Sequence, residues 1–216
     1  DNSRNVLDTI KYRTGQVAQT YIIPEPRISV SQMLSSNSSI KLSYVRNSQF
    51  LHLISNSTSG NPTDKWISAN NYIKPGISNQ VATGFYQNIN EGAYEFSTEI
   101  YYKSIENEID YKDGADVYSN DAIETQLLSG IGRAYGIELL IKKKTGKLTG
   151  WIGYTLSRSE KRIDGINHDK WYAMRQDKTH DISVVGIYEL TKKWTVSGTF
   201  VYSTGNAVSF PSGKYN

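Results

Sequence analysis

Residues 93–103 read AYEFSTEIYYK, and the alternation within this stretch decides the fold class. Every second residue is apolar or aromatic, while the residues between them are mostly small, polar or charged; the first set comprises Tyr94, Phe96, Thr98, Ile100 and Tyr102. Successive side chains of a β-strand point to opposite faces. The stretch therefore predicts a long strand with one apolar face and one polar face.

The same alternation recurs along the rest of the chain. It is clear at residues 148–157, 182–190 and 194–203, and weaker in four more segments. The weaker segments carry the apolar sets Ile28, Val30, Leu34; Ile40, Leu42, Tyr44; Val81, Thr83, Phe85; and Ile137, Leu139, Ile141. No helical stripe of comparable length competes, and the five prolines fall outside the predicted strand interiors. The pattern predicts an all-β fold of about eight strands.

The composition excludes several classes of function. The 216 residues carry a formal charge of only +3, which argues against a nucleic-acid partner, and the absence of cysteine excludes disulfide scaffolds and thiolate metal sites. Hydrophobic residues make up only 38 %, but 16 tyrosines accompany them. A chain poor in apolar residues and rich in tyrosine suits strands that have only one apolar face.

The connections between predicted strands alternate strictly between short and long. Short turns are expected near residues 35–38, 90–92, 144–147 and 191–193, and long connections at 53–76, 105–132 and 161–178. In an antiparallel up-and-down meander, alternate connections lie at opposite ends of the sheet. Outer-membrane barrels have short turns at one rim and long loops at the other, whereas compact soluble domains rarely contain several long structureless loops.

Aromatic residues gather near the predicted strand ends, as in the two interfacial girdles of membrane barrels. Those assigned to the short-turn end are Phe85, Tyr94, Trp151, Tyr188 and Trp194, and those toward the long loops are Tyr44, Tyr102, Tyr154 and Tyr202. Ordinary cross-strand aromatic pairing in a soluble sheet is the alternative interpretation.

Several ordered stretches resemble the TonB-dependent outer-membrane receptors, particularly those of Bacteroidetes-like bacteria. GRAYGIEL at 132–139 followed by TGKLTGW at 145–151 is similar to a strand–turn–strand of that family. DKTHD at 177–181 and YSTGN at 202–206 resemble its late barrel hairpins. The similarity covers most of residues 24–211.

The resemblance implies a segment of a 22-stranded outer-membrane β-barrel in a Gram-negative bacterium. It implies no enzymatic activity and no cofactor. The implied role is TonB-dependent import of a scarce nutrient such as a siderophore, a cobalamin or a glycan. The implied partners are outer-membrane lipid, the transporter's own plug domain, TonB and the nutrient. The stretch contains neither a plug domain nor a TonB box, and Ala207 replaces a frequent proline, so we expect 1–216 to be a partial barrel domain.

Two groups of residues are candidate binding positions. Aromatics of the long loops are suited to stacking on a planar ligand or to packing between loops; they are Trp66, Tyr72, Tyr118, Trp171 and Tyr172. Under the resemblance, the polar strand faces line the lumen and contact plug or solute, and their candidates are Glu95, Glu99, Lys103, Glu138 and Lys142.

Other motifs favour structural explanations. The glycine-rich run at 130–136 precedes a predicted strand, whereas a phosphate-binding loop needs a helix. The three histidines lack a partner at metal-ligand spacing, so no metal or catalytic residue is predicted. Residues 105–132 carry seven acids against one lysine, which favours a solvated acidic loop over a calcium site.

Two alternative functions remain open at the level of sequence. A self-contained small outer-membrane barrel, acting as an adhesin or an anchor, would also have about eight strands. A soluble β-sandwich binding module would bury the same apolar faces between two sheets.

Overall fold

The computed structural model describes residue 10 and residues 12–54, 64–115 and 122–206. Its strands are β1 (Arg27–Ser35), β2 (Ser38–Gln49), β3 (Leu51–Ile54), β4 (Lys65–Ser68), β5 (Gly76–Ile89), β6 (Tyr94–Tyr111), β7 (Leu127–Lys143), β8 (Leu148–Arg162), β9 (Tyr172–Ala173), β10 (His180–Thr191) and β11 (Trp194–Ser203). Two short 3₁₀ helices, Ile123–Gln126 and Asn167–Asp169, lie in the long connections.

The long strands form a single antiparallel sheet. Its order is β1-β2-β5-β6-β7-β8-β10-β11, with β9 paired to β8 and with β3–β4 as a separate hairpin. Strands that follow each other in the meander are neighbours in the sheet, which confirms the predicted all-β, up-and-down arrangement of eight long strands. None of the described segments forms a helix long and apolar enough to cross a membrane.

The strand register places most of the apolar residues of the eight strands on one face, with exceptions such as Leu140 and Val185 on the other. One row of directly paired residues crosses six strands: Val30, Leu42, Thr83, Ile100, Ile137 and Leu156. A second row lies nearer the short turns and crosses five strands: Phe96, Ile141, Ile152, Val184 and Phe200. The alternation read from single segments thus adds up to one continuous surface, which we call the apolar face.

The apolar face is not covered by any segment that the structure describes. Ile100 is 55 % exposed, Ile152 is 52 % exposed and Phe200 is 60 % exposed, although all three lie in the body of the sheet. In a soluble sheet, side chains of this kind pack against a second layer. Within the described residues, this face has no such second layer.

The buried core is small and lies mainly where the long connections fold back. It consists of Ile54, Ile73, Ala82, Ile163, Ile166 and Met174. A Cβ atom on Gly132, whose neighbours across the sheet are Ile105 and Lys161, would lie 2.5 Å from Met174 Cε. The β8–β10 connection therefore packs against the sheet surface opposite the apolar face, and a glycine makes room for it. This explains part of the glycine-rich run as relief of crowding.

The long connections differ from the sequence expectation. The expected loop at 105–132 is strand at both of its ends, because β6 continues to Tyr111 and β7 begins at Leu127. A bulge at Asn107, which has φ +58°, shifts the register and allows pairing to continue beyond it. The 53–76 loop contains β4, and the 161–178 loop contains a 3₁₀ turn and β9.

The short turns form where they were expected. In the β5–β6 turn, Asn90, Glu91 and Gly92 all have positive φ, between 52° and 85°. Asparagine and glycine adopt this left-handed conformation most readily. The residues of this turn therefore account for the short connection at this end of the sheet.

Candidate functional site

The first candidate surface is the apolar face, and aromatic side chains border it at both ends. Toward the long connections, Tyr44, Tyr102 and Tyr135 each lie two residues along their strand from a member of the six-strand row. The rings of Tyr102 and Tyr135 stack with centroids 6.4 Å apart. Toward the short turns, Tyr188 is 45 % exposed and Trp194 is 70 % exposed. The apolar residues thus form a band with amphipathic rings at its two edges.

Four aromatics do not fit the predicted girdles: Trp151 lies on the other face, and Phe85, Tyr154 and Tyr202 share one paired row although they were assigned to opposite ends. Trp151 pairs with Lys142 and Val185, and it therefore lies on the polar face, because its neighbour Ile152 lies on the apolar face. Tyr154 lies near the middle of the apolar face, because β8 continues to Arg162. Sequence position near a predicted strand end did not reveal either the face or the true strand length.

The second candidate surface is the opposite, polar face. The register places the five predicted lumen residues on it together: Glu95 pairs with Lys142, Glu99 pairs with Glu138, and Lys103 follows the same parity on β6. Glu95 forms an ion pair with Lys144, and the Tyr86 hydroxyl donates to Glu99 Oε2 at 3.0 Å. Glu95 and Glu99 thus each have a polar partner beside them.

A shallow groove of about 320 Å³ runs across the polar face. Its walls include the carboxylates of Glu99, Glu138 and Asp181 and the rings of Tyr86 and Trp151. Carboxylates together with aromatic rings suit a cationic or hydrogen-bond-donating group. The sequence predicted the two glutamates, but missed Trp151 because it was assigned to the other face.

The predicted loop aromatics do not form one site. Trp66 and Tyr72 are exposed at 63 % and 53 %, and Tyr118 lies outside the described residues. Trp171 lies beneath Arg133, whose guanidinium carbon is 4.1 Å from the ring centroid. Tyr172 belongs to a different cluster, described next, so these aromatics pack locally and at separate places.

Tyr172 joins a polar cluster on the polar face. Its hydroxyl donates to Asp110 Oδ2 at 3.0 Å, and the Lys161 ammonium lies 2.9 Å from the same oxygen. Burial, reinforced by the Asp110 charge, raises the pKa of the Tyr172 hydroxyl. The phenol therefore remains a neutral hydrogen-bond donor, and it ties the β8–β10 connection to β6.

A charged cluster borders the apolar face beyond the tyrosine edge. Glu160, which is 8 % exposed, accepts hydrogen bonds from Arg133, and Arg158 Nη1 donates to Asp177 Oδ2 at 2.8 Å. Sequence analysis placed Asp177 in a loop, as the structure does, but missed this cluster because its members are distant in sequence, and Arg158 and Glu160 lie beyond the predicted end of β8 at residue 157. The alternation along β8 could have indicated part of the cluster. Arg158, Glu160 and Arg162 continue the every-second-residue series of Ile152, Tyr154 and Leu156, so they lie on the same side of the strand.

His52 is the buried ionisable group of the β3–β4 hairpin. His52 is only 7 % exposed, and its Nε2 has no hydrogen-bond partner among the described residues. Burial lowers the pKa of His52 from its ordinary value of 6.5, against the opposing effects of the Lys74 backbone and the Glu108 carboxylate. The folded hairpin therefore favours the neutral imidazole over the charged one.

We expect the β3–β4 hairpin to become less stable as the pH falls below 6.5. A histidine whose pKa is depressed in the folded state takes up a proton more readily when unfolded, so acid favours opening. Hydrogen exchange of the β3 and β4 amides, corrected for intrinsic rates, measures the effect between pH 7.5 and pH 5. His52→Phe should remove the pH dependence, and the exposed His168→Gln control should keep it. Equal dependence in His52→Phe and the parent would contradict the assignment.

Metal chemistry receives no support from the arrangement of ligands. Among the described residues, no group of three or more histidine, aspartate or glutamate side chains is placed to hold a metal ion. Two acids of the predicted acidic segment, Asp116 and Asp121, lie outside those residues. Three others, Glu106, Glu108 and Asp110, belong to β6 and are part of the sheet.

The chain matches no protein-family model and no curated protein. A functional conclusion therefore depends on the surfaces described above and on the residues that carry the family resemblance.

Proposed function

We propose that this chain is part of the wall of an outer-membrane β-barrel that imports a scarce nutrient by TonB-dependent transport. The observation that carries the proposal is the continuous, uncovered apolar face across eight antiparallel strands. Such a face is costly in water and is required against lipid acyl chains.

Strand length supports a membrane setting. The eight strands of the main sheet contain 9 to 18 residues each, and a tilted strand needs about 9–11 residues to cross a bilayer. Short turns lie at one end of the sheet and all three long connections lie at the other. This asymmetry is typical of outer-membrane barrels.

The sheet edges support a wall segment over a small closed barrel. Strands cross a membrane only where every backbone group is paired, which requires closure. A closed eight-stranded barrel would pair β1 with β11, and within the described residues each of them pairs only with its meander neighbour. In the proposal, further barrel strands pair with these two edges.

The transport role rests on the resemblance to TonB-dependent receptors and on the polar face. In a wall segment this face borders the lumen, where Glu95, Glu99, Lys103, Glu138 and Lys142 contact the plug domain or the solute. The long connections, with Trp66 and Tyr72 exposed, meet the nutrient outside the cell. The chain performs no bond chemistry, and TonB supplies the energy through the plug.

Tryptophan quenching tests the membrane orientation of the sheet. Residues 151 and 152 are adjacent, so they share one depth but lie on opposite faces. One variant keeps Trp151 alone, and the matched variant carries Ile152→Trp and Trp151→Phe, with phenylalanine at the other tryptophan positions in both. In vesicles containing lipids brominated on the acyl chains, we expect strong quenching at residue 152 and weak quenching at residue 151.

The quenching result is decisive in either direction. Equal quenching of the two positions in the closed barrel would contradict the lipid contact of the apolar face. Deletion of the gene tests transport separately, through growth on and uptake of iron–siderophore complexes, cobalamin and glycans. Unaltered uptake of all three classes would contradict the import role without contradicting the barrel assignment.

A further inference from the structure

We propose that the apolar face carries a binding site for one anionic lipid with a phosphate headgroup, its acyl chain in a groove beside Ile137 and its phosphate on Arg158 and Arg133. The inference rests on the proposed function, because it requires this face to contact a membrane. It adds a specific lipid to a surface that otherwise needs only bulk hydrocarbon.

The groove has the shape and chemistry of an acyl-chain site. It encloses about 460 Å³, and its lining is predominantly apolar. Ile137 and Leu156 are paired across β7 and β8 and form its floor, Tyr135 borders it, and Arg158 lies directly opposite Tyr135 in the register. A chain lying in the groove would therefore have a guanidinium at its end.

The two arginines are held in place and retain donors for an anion. Arg158 Nη1 is bound to Asp177 Oδ2 at 2.8 Å, and Arg133 Nε is bound to Glu160 Oε1 at 2.7 Å. Within the described residues, the hydrogen bonds of Arg158 use Nε, to Glu160, and Nη1, and those of Arg133 use Nε and Nη2, which leaves Arg158 Nη2 and Arg133 Nη1 for an anion. Both side chains remain accessible, at 41 % for Arg158 and 35 % for Arg133. A guanidinium fixed on one side by a carboxylate binds a phosphate with little further loss of side-chain entropy.

The charge and the depth of the cluster favour a lipid phosphate. Three arginines, including Arg162 over the Trp171 ring at 5.5 Å, face two carboxylates, so the cluster keeps a positive excess. Arg158 is the direct cross-strand partner of Tyr135. Arg133 lies two residues from Tyr135 along β7, on the side away from the apolar band. Tyrosines of this kind lie at the headgroup level of a bilayer, which is where lipid phosphates lie. Guanidinium groups also match phosphate oxygens in a bidentate manner.

Native mass spectrometry of the full chain in detergent micelles tests the site. Dioleoyl phosphatidic acid, dioleoyl phosphatidylcholine and dioleoylglycerol share their acyl chains and differ in the headgroup. We expect one phosphatidic acid per chain, bound at least about tenfold more tightly than either of the others, since a hydrogen-bonded charge pair accounts for roughly a factor of ten.

Two variants separate the headgroup from the groove. Arg158→Lys keeps the charge and an ion pair with Asp177 but loses the fork of donors, so the affinity should fall about tenfold. Ile137→Trp fills the groove without changing any charge and should also weaken binding. The matched control is Ile141→Trp, which lies on the same strand and face, outside the groove lining, and should bind like the parent. Circular dichroism confirms that each variant keeps its strand content.

The outcomes distinguish this site from the proposed function. Binding unchanged in both Arg158→Lys and Ile137→Trp would overturn the site, as would equal retention of all three lipids. Competition by inorganic phosphate at equal concentration would show a free-phosphate site and would also overturn it. In each of these cases, quenching at residue 152 by brominated lipid would still support the membrane orientation. Loss of that quenching would remove the basis of both proposals.

Discussion

Replacing Ile100 by arginine is expected to destabilise the membrane-inserted protein by about 1–3 kcal/mol, between the values for the bilayer midplane and the interface. Ile100 lies in β6 on the apolar face, between Thr83 and Ile137 and one row inside the tyrosine edge, and is 55 % exposed in the described chain. Against lipid, the arginine would have to enter hydrocarbon or distort the bilayer. Against water, the same exposed position would accept a charge within about 0.5 kcal/mol. The substitution therefore discriminates between the two environments.

Urea unfolding of vesicle-reconstituted protein measures this difference. Ser97→Arg is the matched control, because Ser97 lies on the same strand but on the polar face, beside the carboxylates of Glu99 and Glu138. We expect the control to change the free energy of unfolding little. An Ile100→Arg protein as stable as the control would show that the apolar face does not contact lipid.

Gly150→Ala is expected to cost about 3 kcal/mol or more in unfolding free energy. Gly150 has φ +147°, a conformation that residues with a side chain rarely adopt, and a Cβ atom there would lie 2.0 Å from the Val185 carbonyl oxygen. That oxygen belongs to the neighbouring strand β10, so relief requires the two strands to separate locally. A reduced folding yield would accompany the lower stability.

Gly198→Ala provides the control on the same face. Gly150, Gly186 and Gly198 lie in one row across β8, β10 and β11, and a Cβ atom on Gly198 would have no heavy atom within 4 Å. We expect its effect to stay within about 0.5 kcal/mol. Comparable destabilisation by the two substitutions would show that the cost arises from glycine's general properties and not from the approach of β8 to β10.

Residues 93–103 show how far local pattern can predict this protein. Alternation with period 2 is a property of neighbouring residues, so it correctly predicted the strand, its two faces and the placement of Glu95 and Glu99 on the polar one. The prediction ended at residue 103 because the alternating pattern becomes polar there. β6 nevertheless continues to Tyr111, since pairing with β7 across the Asn107 bulge satisfies its backbone.

The candidate binding residues show the opposite dependence. Arg158 and Asp177 are 19 residues apart, and Tyr172 and Asp110 are 62 apart, yet each pair is hydrogen-bonded. Neither partner carries a local signal of the other. Trp151 differs, because alternation with its neighbour Ile152 already places it on the polar face, and its assignment to a girdle overlooked that signal.

The sequence alone determined the all-β class, the strand order of the meander, the short turns and the amphipathic character of each strand. These features depend on the spacing of residues that are close together in the chain. The tertiary structure decided the true strand lengths, the uncovered state of the apolar face, and the arginine cluster at its edge. These arise from pairing and packing between distant segments, where the free energy of a contact depends on which residues the whole sheet brings together.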